Sequence, residues 1–155
     1  MYRITSSSGE LIQVEILPMM ANDFKAITKK RYYFNWKLEK DQEVYKLRVL
    51  GSTDILGLIS IERIPTEWSI HVRLLTVSVE NKGASKNFDG IAANLLTHIA
   101  KMAVDEHGVL ACVSLTPKSN IAEHYIKKYK MRLTGKMLSL EVPEIINLIK
   151  RYDHE

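Results

Sequence analysis

The sequence predicts a mixed α/β layout of the α+β kind, with strands outnumbering helices and a helix–strand crossover in its second half. Three observations predict it. Short runs of alternating or β-branched apolar residues recur along the chain, one long stretch from Gly90 has helical periodicity, and strand-like runs bracket that stretch on both sides. A helix between two strands forms a crossover, which sets the flanking strands parallel. At 155 residues, 46% hydrophobic and 26% charged, residues 1–155 are expected to form a single domain around one core. A chain of this size buries roughly 68–70% of its unfolded surface, enough to dispense with a disulfide or a metal.

Ile12, Val14 and Ile16 alternate with Gln13 and Glu15, the period of a half-buried strand, and Pro18 ends this first core strand. Asn22 is a cap for a helical segment through Phe24 and Ile27, and Tyr33, Phe34 and Trp36 cluster after the basic run Lys29–Arg31. Val44 to Leu50 and Leu56 to Ile64 flank Gly51-Ser52-Thr53-Asp54, the turn composition of an antiparallel hairpin. Pro65-Thr66-Glu67 turns the chain into a long strand from Trp68 to about Val79. There the apolar positions are Ile70, Val72 and Leu74, then Leu75, Val77 and Val79, so the alternation changes parity. Either a β-bulge keeps both halves on one face, or the strand is buried on both.

From Gly90 the stripe Ile91, Leu95, Ile99 and Met102 opposes Asn94, His98, Lys101 and Asp105, and Gly108 stops the helix. Val109 to Leu115 reads as a buried strand. Ser119 or Asn120 caps a helix through about Lys130, Met137 to Val142 is the last strand, and Pro143 opens a closing helix through Tyr152.

Composition excludes several classes. The single cysteine, Cys112, lies in an apolar run and suits a reducing, cytoplasmic setting, where it reads as a small buried hydrophobe rather than a nucleophile. No N-terminal stretch has signal-peptide form, and no segment approaches the ~18–20 continuous apolar residues of a membrane helix. The net charge of +4 favours anionic ligands without selecting one. The five histidines include no metal-ligand spacing, and nucleophile-elbow and phosphate-loop motifs are absent, which sets aside metal, hydrolase and NTPase chemistry.

The informative segment joins the parity-shifted strand to the long helix: Val79-Glu80-Asn81-Lys82-Gly83-Ala84-Ser85-Lys86-Asn87-Phe88-Asp89-Gly90-Ile91-Ala92. A helix N-terminus offers free N–H groups and the positive end of its dipole, and the small Gly90 and Ala92 let an anion approach the backbone. Asn87 to Ala92 resembles the R/Q-x-x-G-x-G/A pattern of the GCN5-related N-acetyltransferase (GNAT) family. It matches at Gly90 and Ala92 and departs at Asn87, where the family has Arg or Gln. Leu74 to Gly83 is similar to the family's bulged strand and following turn, and Lys118 to Tyr125 resembles the later helix near the thioester.

That resemblance implies an acyl-CoA N-acyltransferase fold: a central mixed, largely antiparallel sheet, splayed at the bulged strand, with helices on both faces. It implies acetyl-CoA as co-substrate, its pantetheine arm along Leu75 and Val77 and its pyrophosphate on Asn87, Phe88, Asp89, Gly90, Ile91 and Ala92. Lys82 and Lys86 add charge to the phosphate site, and Asn120 joins from the later helix. Tyr125 is the candidate acid for the leaving thiolate, with Ile126 taking its position in an alternative register. Glu62 is the candidate base, beside His71, Arg73 and Glu80. The acceptor is an amine of a small molecule or a protein, and Tyr33, Phe34 and Trp36 either line its pocket or pack in the core. A catalytically inactive binding or regulatory module of the same fold is the alternative. Nucleic acid is set aside, because the basic residues of Lys127–Arg132 suit a helix C-terminus by its dipole alone; no membrane partner is expected, and a homodimer is allowed.

Overall fold

A computed structural model describes residues 2–116, 122–134 and 137–153. Its strands are β1 (Arg3–Ser6), β2 (Leu11–Pro18), β3 (Glu43–Val49), β4 (Ile55–Ile64), β5 (Ser69–Val77), β6 (Phe88–Asp89), β7 (Cys112–Leu115), β8 (Arg132–Thr134) and β9 (Met137–Glu141). Its α-helices are α1 (Lys29–Tyr32), α2 (Ile91–His107), α3 (Ala122–Tyr129) and α4 (Val142–Tyr152). Among the described residues the strands form one sheet in the order β6-β1-β2-β3-β4-β5-β7-β9-β8. All neighbours are antiparallel except β5 and β7, the pair that the α2 crossover joins.

Alternation along the strands divides apolar side chains between two faces. On one face Ile59, Ile61, Ile70, Val72 and Val113 share a core with Leu95 and Ile99 of α2 and Ile145 and Leu148 of α4. On the other, Val44 and Leu58 are covered by Ile27, Tyr32 and Trp36 from the segment between β2 and β3. Burying each such side chain stabilises the fold by about 1.5–3 kcal/mol. The two largest also satisfy their polar atoms: the Tyr32 hydroxyl donates to the Ile55 carbonyl at 2.7 Å, and Trp36 Nε1 donates to the Tyr32 carbonyl at 3.1 Å.

The parity change in β5 is a bulge. Val72 pairs with Ile61 and Leu74 with Ser60, leaving Arg73 as the extra residue. Leu75 and Val77 therefore pack on the α2 face with Ile70 and Val72, while Leu74 joins the opposite cluster. Both halves of the strand stay buried on one face, and the residue beside the insertion is spent on the other.

Several expectations needed correction. A strand precedes Ile12: β1 is short and has only Ile4 as a buried apolar residue, too little for a period-two signal. Asn22 lies inside a 3-10 turn, Ala21–Ala26, and the Met20 N–H just before it donates to Asp23 Oδ2 at 2.7 Å. The true cap is Thr28, accepting from Arg31 N at the start of α1. Val109 and Leu110 form an exposed 3-10 turn, Val109 at 86%, and β7 begins only at Cys112. Asn94, assigned to the polar side of the long helix, is fully buried, its Nδ2 donating to the Arg3 and Gly90 carbonyls at 2.8 and 2.7 Å. Arg132–Thr134 adds the unforeseen edge strand β8.

Gly57 on β4 lets α2 approach this closely: a Cβ there would lie 2.6 Å from Ile91 Cγ2 and 3.2 Å from the Thr76 carbonyl oxygen. Gly57→Ala is therefore expected to lower stability by about 1–3 kcal/mol through overpacking, read as a fall in the urea midpoint at constant m-value.

Candidate active site

Parallel pairing between β5 and β7 ends at Val72–Leu115. Beyond it, residues 73–77 of β5 keep β4 on one side and, among the described residues, have no strand on the other. Ser78 N–H donates to the Leu56 carbonyl at 2.8 Å, which fixes the alternation: Thr76 and Leu74 direct their backbone groups to β4, while Leu75 and Val77 direct theirs to the open side. A cleft of about 360 Å³ occupies this splay. Leu75, Val77 and Ala92 line it from the α2 face, Phe34, Leu74 and Arg73 from the other, so the opening passes through the sheet.

A second chamber of about 180 Å³ continues from the cleft, sharing Val77, Lys82, Ala92 and His124 with it, and ends on the first turn of α2. Gly90 caps that helix at φ 97°, a left-handed conformation suited to glycine, and contributes no side-chain cap. The first helical bond is Asn94 N to Gly90 O at 3.0 Å, so among the described residues the N–H groups of Ile91, Ala92 and Ala93 have no acceptor. The amides upstream are spent. Asn87 N donates to the Glu80 carbonyl at 3.1 Å, Phe88 N donates to Asn81 Oδ1 at 3.0 Å, and β6 pairs with β1. Asn81, buried and donating to Ser78 Oγ at 2.8 Å, organises this loop, a role its turn-rich sequence concealed.

Lys82, Lys86 and Lys128 line the chamber, against one carboxylate, Asp89. Burial pushes the Asp89 carboxyl up, but the Lys86 ammonium at 3.2 Å, Lys128 and the Gly90 N–H hold it below its usual value. The chamber therefore suits an anion at Ile91–Ala93, with Asp89 already engaging the preceding donor. Lys128 and His124 were not anticipated here; they project from α3 into the groove at i and i+4, a spacing indistinguishable in sequence from a solvated helix face.

At the other end of the groove, Tyr125 lines the cleft, and its hydroxyl has no hydrogen-bond partner among the described residues. Burial raises its pKa, keeping the phenol protonated. Ile126 is 38% exposed and does not line the cleft. Asn120 lies outside the described residues. Of the three aromatics, Phe34 lines the cleft, Trp36 is core, and Tyr33 lies under the Lys82 ammonium, 4.1 Å from its ring centroid.

Glu62 sits on β4, exposed, with an oxygen 3.7 Å from Arg73 Nη1. Glu80 is held by Arg31, which also grips Asp54 at 2.7 Å, and the Arg31 guanidinium draws the Glu80 carboxyl down. Glu39, not foreseen, is buried beneath the bulge and accepts from Arg73 Nε at 2.8 Å and Ser60 Oγ at 2.9 Å. Arg73 holds its carboxyl below the usual range against the opposing effect of burial. Among the described residues no group of three or more His, Cys, Asp or Glu is placed to hold a metal, and no helix is long and apolar enough to cross a membrane.

No family model and no curated protein sequence matches the chain. Solved structures do. The ribosomal-protein-S18-alanine N-acetyltransferase of Escherichia coli superposes with TM-score 0.64 at 10% identity, over 84% of this chain and 94% of that one. A GNAT family acetyltransferase of Elizabethkingia anophelis with acetyl-CoA bound gives 0.61 at 13%, over 83% and 98%. The spermidine/spermine N-acetyltransferase of Vibrio cholerae gives 0.61 at 12%, over 87% and 96%. At such identities the likeness is one of fold: the chain has the mixed α/β fold of the GNAT acyl-CoA N-acyltransferases.

Glu39 makes a pH prediction. A carboxyl depressed in the folded state contributes stability that is fully present above its ordinary value of 4.5 and is lost as pH falls through the folded value. The urea midpoint is expected to fall on acidification below that value, and to fall less in Glu39→Gln. Arg73→Ala, which strands the buried carboxylate, is expected to destabilise at neutral pH by about 1–3 kcal/mol, toward the lower end because Arg73 is partly solvated.

Proposed function

We propose that the chain is an acetyl-CoA-dependent N-acetyltransferase that transfers the acetyl group to an amine by direct attack. One observation carries this reading: an unpaired strand edge, at Leu75 and Val77, runs into a helix start with unspent N–H groups, at Ile91–Ala93, within one continuous groove. A pantetheine arm has amide-like groups that complement a strand edge, and a pyrophosphate complements a helix N-terminus flanked by lysines. In this reading Ile91, Ala92 and Ala93 donate to the pyrophosphate, Gly90 leaves room for it, and Asn87, Phe88 and Asp89 shape the approach to it. Lys82 and Lys86 supply charge, and Asn120, two positions ahead of α3 in the sequence, remains a candidate.

Acyl transfer here depends chiefly on holding thioester and amine in one slot open to both faces of the sheet. The Leu75 N–H, directed into the cleft, is a donor for the thioester carbonyl oxygen as charge develops on it. Tyr125 gives its proton to the departing thiolate. The acceptor enters from the face that carries Phe34 and Arg73, where Glu62 supplies a carboxylate. Acetyltransferases of this fold include one named for an alanine of ribosomal protein S18 and one named for spermidine and spermine, so peptide amines and polyamines are the first acceptors to try.

A second reading, an inactive binding or regulatory module, is favoured by Asp89, whose carboxylate takes the Gly90 N–H. Two measurements separate them. Isothermal titration is expected to give saturable acetyl-CoA binding; no heat at millimolar acetyl-CoA removes the enzyme reading. Release of free CoA is then followed with a panel of peptides bearing free N-termini and of polyamines, where binding without turnover on any of them supports the inactive module. Tyr125→Phe is expected to lower kcat by about 10²-fold with acetyl-CoA affinity unchanged.

A further inference from the structure

The chamber at the start of α2 already holds an anion of its own. Asp89 supplies the carboxylate among its described lining residues, one position before the cap Gly90 and at the positive end of a 17-residue helix. Its contacts fix where the carboxylate points. It accepts from the Gly90 N–H, its Oδ1 lies 3.2 Å from Lys86 Nζ, and Lys128 of α3 acts on it through charge. The Asp89 backbone is committed elsewhere, paired with Thr5 of β1, so only the side chain can move.

A pyrophosphate held by the Ile91, Ala92 and Ala93 N–H groups shares both the helix start and Lys86 with this carboxylate. Two like charges on one helix end repel, and in a partly enclosed chamber they do so more strongly than in open water. The carboxylate's own ties are weak enough to yield. The Lys86–Asp89 pair spans i to i+3 with side chains 40% and 62% exposed, and exposed pairs of this kind contribute little. Its way out is into solvent, and Lys86, once released, stays in the chamber wall for the phosphate. A ligand held by its phosphates alone meets the same repulsion with nothing to offset it, whereas an acyl-CoA adds a pantetheine arm along Leu75 and Val77.

Resting on the acetyltransferase reading above, we propose that Asp89 is a tethered anion that fills the phosphate site of the free protein and is displaced by acetyl-CoA, so that it sets the cofactor's affinity and turns away ligands offering phosphates alone. In the complex the carboxylate turns to water and the Lys86 ammonium passes to the pyrophosphate. In the free protein the same carboxylate stabilises the helix, since negative charge at an N-terminus complements the dipole. Removing it therefore lowers stability and raises affinity, two changes of opposite sign. A residue that merely shaped the loop would lose both together.

Acetyl-CoA, and ADP as a pyrophosphate without a pantetheine arm, are titrated calorimetrically into wild type, Asp89→Asn and Asp89→Ala. Asp89→Asn removes the charge and keeps an acceptor for the Gly90 N–H; it is expected to bind acetyl-CoA about fivefold tighter than wild type at low salt, the gain shrinking as ionic strength rises. Asp89→Ala also releases that N–H and is expected to reach about tenfold, and to bind ADP measurably where wild type does not. Without ligand, both variants are expected to show a lower urea midpoint. Equal or weaker acetyl-CoA binding by both variants overturns the proposal while leaving wild-type binding, and with it the acetyltransferase reading, intact; ADP binding by wild type as tight as by Asp89→Ala overturns it as well. No binding by any of the three overturns both. Binding by the variants alone supports the displaced anion and moves the function to the inactive module. Asp89→Asn, which preserves the geometry before the helix, carries the comparison if Asp89→Ala does not fold.

Discussion

The molecule is organised around a strand that loses its neighbour. Among the described residues β5 is paired on both sides from Ser69 to Val72 and on one side afterwards, and the single inserted residue, Arg73, sits where the change occurs. Backbone N–H and C=O groups left open in a buried strand are costly unless something pairs with them, so the splay leaves an edge suited to a ligand with amide-like groups. The bulge also sets which groups face outward: by shifting the alternation it keeps Leu75 and Val77 in the α2 core while their backbone faces the cleft.

The second constraint is the position of the α2 N-terminus. Gly57 allows the first turn of the helix to rest on β4, Asn94 ties that turn to the Arg3 carbonyl, and β6 is stitched to β1. Together these hold Ile91–Ala93 at the end of the groove begun by β5. Salt bridges connect the same region to α1: Arg31 joins Asp54 of the β3–β4 turn to Glu80 of the loop after β5. Lys82 of that loop stacks over Tyr33, so the loop after β5 and the aromatic segment after α1 are braced against each other.

Charge is distributed to match this division. On the α2 face, lysines surround a helix start whose dipole already favours an anion. On the opposite face two guanidinium groups each bridge two carboxylates, Arg73 between Glu39 and Glu62 and Arg31 between Asp54 and Glu80.

By itself the sequence determined what depends on neighbours along the chain: the hairpin around Gly51, the helix bounded by Gly90 and Gly108, the crossover that makes β5 and β7 parallel, and the parity change in β5, which left a bulge and burial on both faces open. Each is a matter of local sterics or of period, which a single chain displays. Tertiary structure alone decided which amides remain unspent, since those of Asn87 and Phe88 are consumed by Glu80 and Asn81 while Ile91–Ala93 keep theirs. It also decided that Tyr125 rather than Ile126 faces the cleft, that Glu39 lies buried beneath Arg73, and that Glu62, His71, Ser114, Ser139 and Arg132 stand in one row. Those facts depend on register between strands far apart in the chain, and register is set by the packing of the whole sheet rather than by the composition of any one segment.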